Sequence, residues 1–455
     1  MGYWLGIDVG STVTAAAVCW EEGPAEVVSL GSNSAVVPSV VFLGEHDQVE
    51  VGEAALRRAV TDPDRVVRGF TGRIGDQVPM VIGGQAYTPA QLAAMLISWV
   101  VDQVSTRQGG RAEGIVITHP ASWGDYKRAV LATSLVAAGL GRVRFCAEPE
   151  AVAAGCAAGQ PIASGHTIAV YDLGGTTFDA TVIRSTGAGG FTVLGQPQVL
   201  DQLGGVDFDD AVFGHVLAAV PGLTELDADN PTTLAAMAAL RRECSQATQV
   251  LSADTEVTIP VTAPGIQTQV RLHRAEFDDM IRPQLSETLQ ALRRALQTAQ
   301  VQPQDLDAVL LVGGSCRIPL VAQLVSTDLD QPLTIDAVPA TGIARGDSIP
   351  QAVAGTQAPR TPNTVAATGN SNDQRLPTGS STAPILAVPV TAPNHSAGNA
   401  ASAGTHPVHA AGLQTAGAAT AVPVNNSAGG GGTTAPAGGG GTTSTPPDPA
   451  GQAAT

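Results

Sequence analysis

One short segment occurs twice in this sequence, and this duplication constrains the fold more than any other feature. Residues 7–12 read Ile-Asp-Val-Gly-Ser-Thr, and residues 171–177 read Tyr-Asp-Leu-Gly-Gly-Thr-Thr. Each copy follows an apolar run, turns at Asp-x-Gly and continues into a second β-prone run. The pattern predicts two β-hairpins with glycine-rich turns, and therefore a fold with an internal repeat.

The intervening sequence predicts a mixture of helices and strands. An apolar helical repeat begins directly after Thr88, which is the expected N-cap because proline follows it. Similar periodicity predicts helices over residues 234–251 and 277–296, and an apolar run predicts a strand at residues 114–118. A third glycine turn follows the apolar run 309–312. The fold class is therefore α/β, with the apolar helix faces in the core.

Composition separates the chain into a body, residues 1–346, and a tail, residues 347–455. The four Trp, four Tyr and eight Phe residues all precede position 351. The tail consists mainly of Ala, Gly, Pro, Thr, Ser and Asn and shows no apolar periodicity. Such a segment cannot bury enough apolar surface to offset its conformational entropy, so we expect it to be disordered. The body is long enough for a substantial core, which we expect to be divided between two lobes.

Charge, hydropathy and cysteine usage bear on partners and location. Almost all of the formal net charge of −17 belongs to the body, because two arginines balance two aspartates after position 351. An anionic body is a poor partner for nucleic acid. No stretch approaches the ~20 apolar residues of a membrane span, and no signal-peptide pattern opens the chain. The five cysteines form no C-x-x-C pair, which is typical of reduced thiols. We therefore expect a cytoplasmic protein with neither nucleic acid nor membrane as partner.

The glycine turns have the chemistry of a phosphate site. Glycine lets consecutive backbone N–H groups converge on anionic oxygens, and the neighbouring hydroxyls add hydrogen bonds. Asp8 and Asp172, one in each turn, could together hold a hydrated Mg²⁺ that bridges β- and γ-phosphates. A single turn of this kind is more often only a tight turn. Two copies and the third glycine turn favour the phosphate site.

Six motifs occur along the chain in this order: GIDVGST at 6–12, ITHPA at 117–121, EPEAVAA at 148–154, YDLGGTTFD at 171–179, LGGVDFD at 203–209 and VGGSCRIP at 312–319. Together they resemble the nucleotide-binding domain of the seventy-kilodalton heat-shock chaperones of DnaK type. The resemblance covers roughly residues 3–346. It implies the actin-like ATPase fold, in which two duplicated lobes hold a nucleotide in the cleft between them.

The resemblance also implies roles for single residues, with ATP or ADP and Mg²⁺ as the bound groups. It assigns nucleotide contacts to Gly10, Ser11 and Thr12 in the first turn, to Gly174, Gly175, Thr176 and Thr177 in the second, and to Gly204, Gly205, Ser252, Gly313, Gly314, Ser315 and Arg317 elsewhere. Asp8 and Asp172 would face the Mg²⁺ shell. Glu148 would position the attacking water, with Asp172 and Asp179 as the other catalytic carboxylates.

One departure from the family pattern concerns the phosphoryl-transfer chemistry. Thr71 stands where relatives carry a lysine that reaches the γ-phosphate, and the sequence contains a single lysine, Lys127. Arg68 or Arg73 could take the place of the missing ammonium, but a guanidinium is larger and is aimed differently. We therefore expect slow phosphoryl transfer at most.

A second departure concerns the adenosine clamp, where relatives place a glutamate, a lysine and an arginine on one helix. The matching positions here are Ser245, Thr248 and Gln249, and only Ser252 of the usual set remains. A hydrogen bond to a charged group contributes about 1–3 kcal/mol, so losing two or three lowers affinity by on the order of a hundredfold or more. Nucleotide binding should therefore be weakened rather than abolished.

A third departure concerns client binding. Pro120 and Arg128 match the pair that relays the nucleotide state toward a client domain, yet no interdomain linker, β-sandwich or helical lid is recognisable after Gly346. Client cycling would then require a co-chaperone or another protein partner that supplies the missing function.

Three functional hypotheses follow from these observations. The first is an ATP-binding chaperone-family protein that acts as a nucleotide-dependent two-lobe switch, with slow ATP hydrolysis. The second is a pseudo-ATPase that serves as a scaffold or interaction module, which the lost lysine and clamp favour. The third is a sugar-kinase-like phosphotransferase, against which the motifs at 148–154 and 312–319 argue.

Overall fold

A computed structural model describes residues 2–20, 25–46, 48–141, 143–157, 162–187, 190–331 and 333–335. The predicted disordered tail, and the predicted boundary at residue 346, lie outside these residues. Within the described part of the chain, no helix combines the length and the apolar character needed to cross a membrane.

Helices and strands alternate along the chain, as the periodicity predicts. The strands in the described residues are β1 (Tyr3–Val9), β2 (Val13–Trp20), β3 (Glu26–Val28), β4 (Val37–Pro38), β5 (Val41–Leu43), β6 (Val49–Val51), β7 (Val66–Val67), β8 (Met80–Ile82), β9 (Gln85–Tyr87), β10 (Gly114–His119), β11 (Val143–Ala147), β12 (Thr167–Leu173), β13 (Phe178–Gly187), β14 (Gly190–Leu200), β15 (Glu256–Ala263), β16 (Ile266–His273), β17 (Ala308–Val312) and β18 (Leu333–Ile335). The helices are α1 (Glu53–Arg58), α2 (Pro89–Gln108), α3 (Asp125–Ala137), α4 (Glu148–Ala157), α5 (Gly205–Ala219), α6 (Pro231–Leu251), α7 (Arg274–Ala299) and α8 (Pro319–Leu329). Short 3₁₀ turns lie at Pro63–Arg65, Pro221–Leu223, Pro303–Asp305 and Gly314–Arg317.

The two main sheets repeat the same strand order, so the predicted duplication is confirmed. The first sheet runs β11-β10-β1-β2-β3, with β4 also paired to β2, and the second runs β18-β17-β12-β13-β14. In each sheet the central strand forms an antiparallel hairpin with the next strand and pairs in parallel with a later one, β10 or β17. We call the part up to residue 147 the first lobe and the part from residue 148 to 335 the second lobe.

Each lobe has its own hydrophobic core. In the first lobe, α2 packs Leu92, Leu96 and Val100, all fully buried, against the sheet. The helix starts as predicted, because the Thr88 hydroxyl accepts a hydrogen bond from the backbone N–H of Gln91, and the Gln91 Oε1 accepts one from the backbone N–H of Thr88. In the second lobe, apolar side chains of α5, α6, α7 and α8 pack together against β12, β13 and β17.

Helix α4 joins the two lobes. It begins at Glu148, directly after the last residue of β11 in the first sheet. Its buried residues Ala151, Val152 and Ala153 nevertheless pack against Val170 and other apolar residues of the second sheet. The connection between the lobes is therefore a packed helix rather than a free linker.

The third glycine turn depends on the backbone of Gly313. This residue has φ 88° and ψ 151°, a conformation that is almost restricted to glycine. A Cβ atom added here would lie 2.2 Å from the carbonyl oxygen of Leu173. The end of β17 therefore lies against the end of β12 more closely than any side chain would permit.

We expect Gly313→Ala to lower the free energy of unfolding by more than about 2 kcal/mol, because it adds both backbone strain and a steric overlap. Urea denaturation of the full chain measures this change. Gly314→Ala is the matched control, since a Cβ at Gly314 meets no atom within 4 Å. Equal losses in the two variants would contradict the role given to Gly313.

Candidate functional site

The three glycine turns line one cavity of about 530 Å³ between the lobes. The predicted nucleotide-contact residues that line it are Gly10, Ser11, Thr12, Gly174, Gly175, Thr177, Gly313, Gly314 and Ser315. They follow the carboxyl ends of β1, β12 and β17. In open α/β sheets, a crevice outside the carboxyl ends of the strands is the usual place for a ligand. The size of the cavity is also within the range of small-molecule sites.

The second turn is held tightly on both sides. A Cβ atom at Gly175 would lie 2.2 Å from Cγ2 of Thr12, so the turns of the two lobes are in direct contact. A Cβ at Gly204 would lie 2.6 Å from the carbonyl carbon of Gly175. The Gly205 N–H donates to the Gly174 carbonyl at 3.1 Å, and the Ser315 hydroxyl donates to the same oxygen at 2.9 Å. A side chain at Gly175 or Gly204 would therefore overlap with neighbouring atoms of the turns.

Asp8 is a buried carboxyl group at the edge of this cavity. It lies at the end of β1, is 6% exposed and accepts a hydrogen bond from the Thr118 hydroxyl at 2.9 Å. The pKa of Asp8 is raised to about 7, mainly because the carboxyl is buried; the Thr118 hydrogen bond lowers this pKa, and the neighbouring Asp172 raises it. The ionised form of Asp8 is thus poorly stabilised by the residues around it.

Asp172 and Asp179 form a second acidic group in the cavity. They are directly opposite each other in the hairpin of β12 and β13, where like charges repel. Burial raises the pKa of both carboxyls, and the pKa of Asp179 is raised further by Asp172 and Asp201. The Oδ1 atom of Asp179 is buried and has no hydrogen-bond partner in the described residues. A ligand with positive charge or with donors would satisfy this group.

These carboxyl groups fit a hydrated divalent cation. Mg²⁺ binds oxygen ligands and usually keeps several waters, so it needs few protein carboxylates. Asp8 and Asp172 are the candidate protein ligands, because both line the cavity. The pKa of each is raised by burial, and no cationic side chain is among the causes that lower it. In the described part of the chain, no three His, Cys, Asp or Glu side chains form a complete metal-binding group of their own.

Two more predicted residues line the cavity, and one does not. Glu148 lines it from the first turn of α4, and Pro120 lines it just after β10. Arg128 does not line the cavity, and its guanidinium forms an ion pair with Asp125 on the same helix. The proposed relay between Pro120 and Arg128 therefore stays a prediction.

Five predicted nucleotide contacts are not among the residues that line the cavity. They are Thr176, Gly204, Gly205, Ser252 and Arg317. Gly204 and Gly205 pack behind the second turn and support it. The Ser252 hydroxyl donates to the carbonyl of Thr248 at 3.2 Å, within its own helical turn. Direct contacts from these five residues stay predictions.

The positions that match the adenosine clamp make contacts within the second lobe. Thr248 is 7% exposed and donates to the Cys244 carbonyl at 3.1 Å. Burial raises the pKa of Asp209, and hydrogen bonds from Ser245 and Thr248 oppose this change. These side chains therefore stabilise an internal carboxyl group, and neither lines the cavity.

Sequence reasoning missed several residues that line the cavity. They are Thr118, Trp123, Lys127 and Asp201. Thr71, which the resemblance placed at the position of the family lysine, also lines the cavity, and its buried hydroxyl has no partner in the described residues. Thr118 could have been found, because β10 pairs in parallel with β1 and brings it beside Asp8. The positions of Lys127 and Trp123 depend on how α3 packs, which no local pattern reveals.

Comparison with known proteins agrees with this geometry. A family model described as Hsp70 protein matches residues 4–361. The chain belongs to the Hsp70 family. The fold of this Hsp70-family chain is accordingly the actin-like ATPase fold, and its two sheets of identical strand order are the two halves of that fold. The prediction of family and fold is confirmed.

Curated relatives of this Hsp70-family chain include proteins named chaperone protein DnaK. Those of Thermotoga petrophila, Thermotoga sp. strain RQ2 and Thermotoga maritima are each 28% identical to the chain over 361 residues. The match covers 78% of the chain and 60% of each relative. The chain thus spans about 60% of the length of the DnaK proteins that it matches.

The raised pKa of Asp8 predicts how stability depends on pH. The folded state keeps this proton up to about pH 7, whereas the unfolded chain loses it near the ordinary value of 3.8. Asp8 therefore makes its complete contribution to the free energy of unfolding below pH 3.8, and this contribution is lost as the pH rises through about 7.

Asp8→Asn should remove this dependence and raise stability at pH 8, by up to about 4 kcal/mol, in buffer without divalent cations. Asparagine still accepts the Thr118 hydrogen bond. Calorimetric unfolding at pH 5 and pH 8 measures the effect, and Asp64→Asn, a change at an exposed carboxylate, is the control. A variant with the pH profile of the wild type would show that Asp8 ionises freely.

Proposed function

We propose that this Hsp70-family chain binds ATP and ADP with Mg²⁺ in the cavity between its lobes and acts as a nucleotide-dependent switch. The supporting observation is the convergence of three glycine turns and two desolvated aspartates on one cavity. The DnaK proteins that the chain resembles are chaperones by name, which supports a chaperone-type role. ATP hydrolysis, where it occurs, is slow.

The glycine turns would bind the phosphates. Backbone N–H groups of the first and second turns are candidate donors, and the side chains of Ser11, Thr12 and Thr177 add hydroxyls that line the same cavity. The second turn is already fixed by hydrogen bonds from Gly205 and Ser315 to Gly174. Binding would therefore cost little reordering of this turn.

Asp8 and Asp172 would hold Mg²⁺, with water or phosphate oxygens as its other ligands. When bound, the ion neutralises phosphate charge and so favours attack on phosphorus. Asp8 must give up its proton for this role. Its hydrogen bond from Thr118 keeps the carboxylate oriented while that proton is absent.

Glu148 and Asp179 would act on water. Glu148 lines the cavity from the first turn of α4. It is the candidate that orients the attacking water and accepts its proton. Asp179 holds its proton more firmly than a free aspartic acid does, because its pKa is raised, so its buried carboxyl can donate a hydrogen bond.

A second candidate function is a pseudo-ATPase scaffold that binds nucleotide weakly. One specific observation favours it: Ser245 and Thr248, at the positions of the adenosine clamp, are engaged with Asp209 instead of lining the cavity. Contacts to the base would then be few. In either function a co-chaperone or another protein partner would bind differently to different arrangements of the two lobes. Pro120 and Arg128 are the candidate residues that relay the nucleotide state to such a partner.

The proposal predicts micromolar binding of Mg²⁺-ATP to the full chain, measured by titration calorimetry. The double variant Asp8→Ala, Asp172→Ala should abolish this binding, because it removes both candidate Mg²⁺ ligands. Asp209→Asn is the matched control, since Asp209 is also desolvated but does not line the cavity. Absence of binding heat up to about millimolar ATP in folded wild-type protein would refute nucleotide binding.

Glu148→Gln should lower single-turnover ATP hydrolysis about 100-fold or more and leave ATP affinity unchanged, because it removes a base but no phosphate contact. Quenched-flow or radiometric phosphate release measures the rate, and calorimetry measures the affinity. A wild type that binds ATP but releases no phosphate would support the pseudo-ATPase scaffold. If the variant hydrolyses ATP as fast as the wild type, a group other than Glu148 orients the attacking water.

A further inference from the structure

The cavity is strongly acidic, and Lys127 supplies its one cationic side chain among the described residues. The carboxyl groups that line it are Asp8, Glu148, Asp172, Asp179 and Asp201. An anionic ligand with several charges would face repulsion from these groups unless cations compensate it. Lys127 is therefore the side chain that can contribute most to binding such a ligand from the protein itself.

The arginines near the cavity do not take this role. Arg68 is exposed, and Arg73 forms an ion pair with Asp76 at 3.1 Å. Arg128 pairs with Asp125. None of the three arginines lines the cavity. The expectation that Arg68 or Arg73 replaces the missing lysine is therefore not supported by their positions.

Lys127 reaches the cavity because the start of α3 packs on the loop at residues 70–76. A Cβ atom at Gly75 would lie 3.0 Å from Cγ and 3.6 Å from Cε of Lys127, so the lysine stem lies along this loop. The Tyr126 hydroxyl donates to the Gly75 carbonyl at 3.3 Å. The Lys127 ammonium lies 5.7 Å from the centre of the Trp123 ring. These contacts fix the side chain beside the loop that carries Thr71.

Lys127 and Thr71 offer unused hydrogen-bond donors to the cavity. Across the residues that the structure describes, the Lys127 ammonium forms no ion pair, and the buried Thr71 hydroxyl has no hydrogen-bond partner. A phosphate group can accept from both, because it has several anionic oxygens. An ammonium suits this role as a compact charge with three donors.

We propose that Lys127 is the cationic contact for the terminal phosphate of ATP, with the Thr71 hydroxyl as a second donor. The ammonium that contacts the phosphate is then carried by α3, and not by the loop position that Thr71 occupies. The terminal phosphate carries the charge that distinguishes ATP from ADP, so Lys127 determines the preference between them. This inference rests on the proposed nucleotide binding.

The first test uses the fact that the sequence contains one lysine. N-hydroxysuccinimidyl acetate acetylates the ε-amine, which attacks the ester carbonyl, forms an amide and releases N-hydroxysuccinimide and a proton. Mass spectrometry of the full chain should show Lys127 protected about tenfold or more by Mg²⁺-ATP, and less than about threefold by Mg²⁺-ADP. The N-terminal amine is the internal reference. Equal protection by both nucleotides at saturation would overturn the assignment.

The second test compares nucleotide affinities of variants by calorimetry. Lys127→Met should weaken ATP binding about 10- to 100-fold and ADP binding less than about threefold, and Lys127→Arg should restore part of the ATP affinity. Arg68→Met is the control, because Arg68 is a nearby cation outside the cavity. A purely structural role of Lys127 would lower the unfolding temperature and leave the ATP-to-ADP affinity ratio unchanged.

The outcomes separate this inference from the function on which it rests. A wild type that binds neither nucleotide refutes the proposed function and the inference together. A wild type that binds ATP, with a Lys127→Met variant that keeps the wild-type affinity ratio, refutes the inference alone. Because acetylation is measured on the wild type, poor folding of a variant would not prevent a decision.

Discussion

Burial of carboxyl groups at the ends of the two central strands is the constraint on which the rest of the site depends. Asp8 and Asp172 lie near the ends of β1 and β12, each on a strand with one parallel and one antiparallel neighbour. Ionising these groups without a partner is costly, as their raised pKa values show. Backbone amides of the turns supply partial positive charge nearby, but only a cation can fully offset two carboxylates. The fold therefore creates an acidic cavity, and ionisation of its two aspartates requires a bound cation.

The glycine turns satisfy a second requirement, which is close approach of backbone to backbone. Gly175 lies against Thr12 of the other lobe, and Gly204 lies against the backbone of Gly175. Side chains at these positions would push the turns apart and widen the cavity. Hydrogen bonds from the Gly205 and Val206 N–H groups to the carbonyls of Gly174 and Gly175 also hold the second turn in place. Preorganised amides lose little entropy on binding an anion, so under the proposed function the turns would compensate in part for the sparse contacts expected at the base.

The sequence predicted those parts of the molecule that depend on local pattern. The hairpins, the Thr88 cap and the three glycine turns follow from alternation, capping and turn chemistry. Family motifs predicted the fold and about half of the residues that line the cavity. The position of Lys127 could not be predicted, because it depends on the packing of α3 on a loop about 50 residues earlier in the chain. The inward contacts of Thr248 likewise depend on Asp209, which lies on another helix.

The direct passage from β11 into α4 has a mechanical consequence. Ala147 is hydrogen-bonded into the first sheet, and Glu148 begins a helix whose apolar face belongs to the second. No residue separates these two elements, so backbone torsions at this peptide must absorb part of any rotation of one sheet relative to the other. The pivot and the carboxylate that faces the cavity are then the same residue. Opening of the cleft would reorient Glu148 at once, without any intermediate element to transmit the motion.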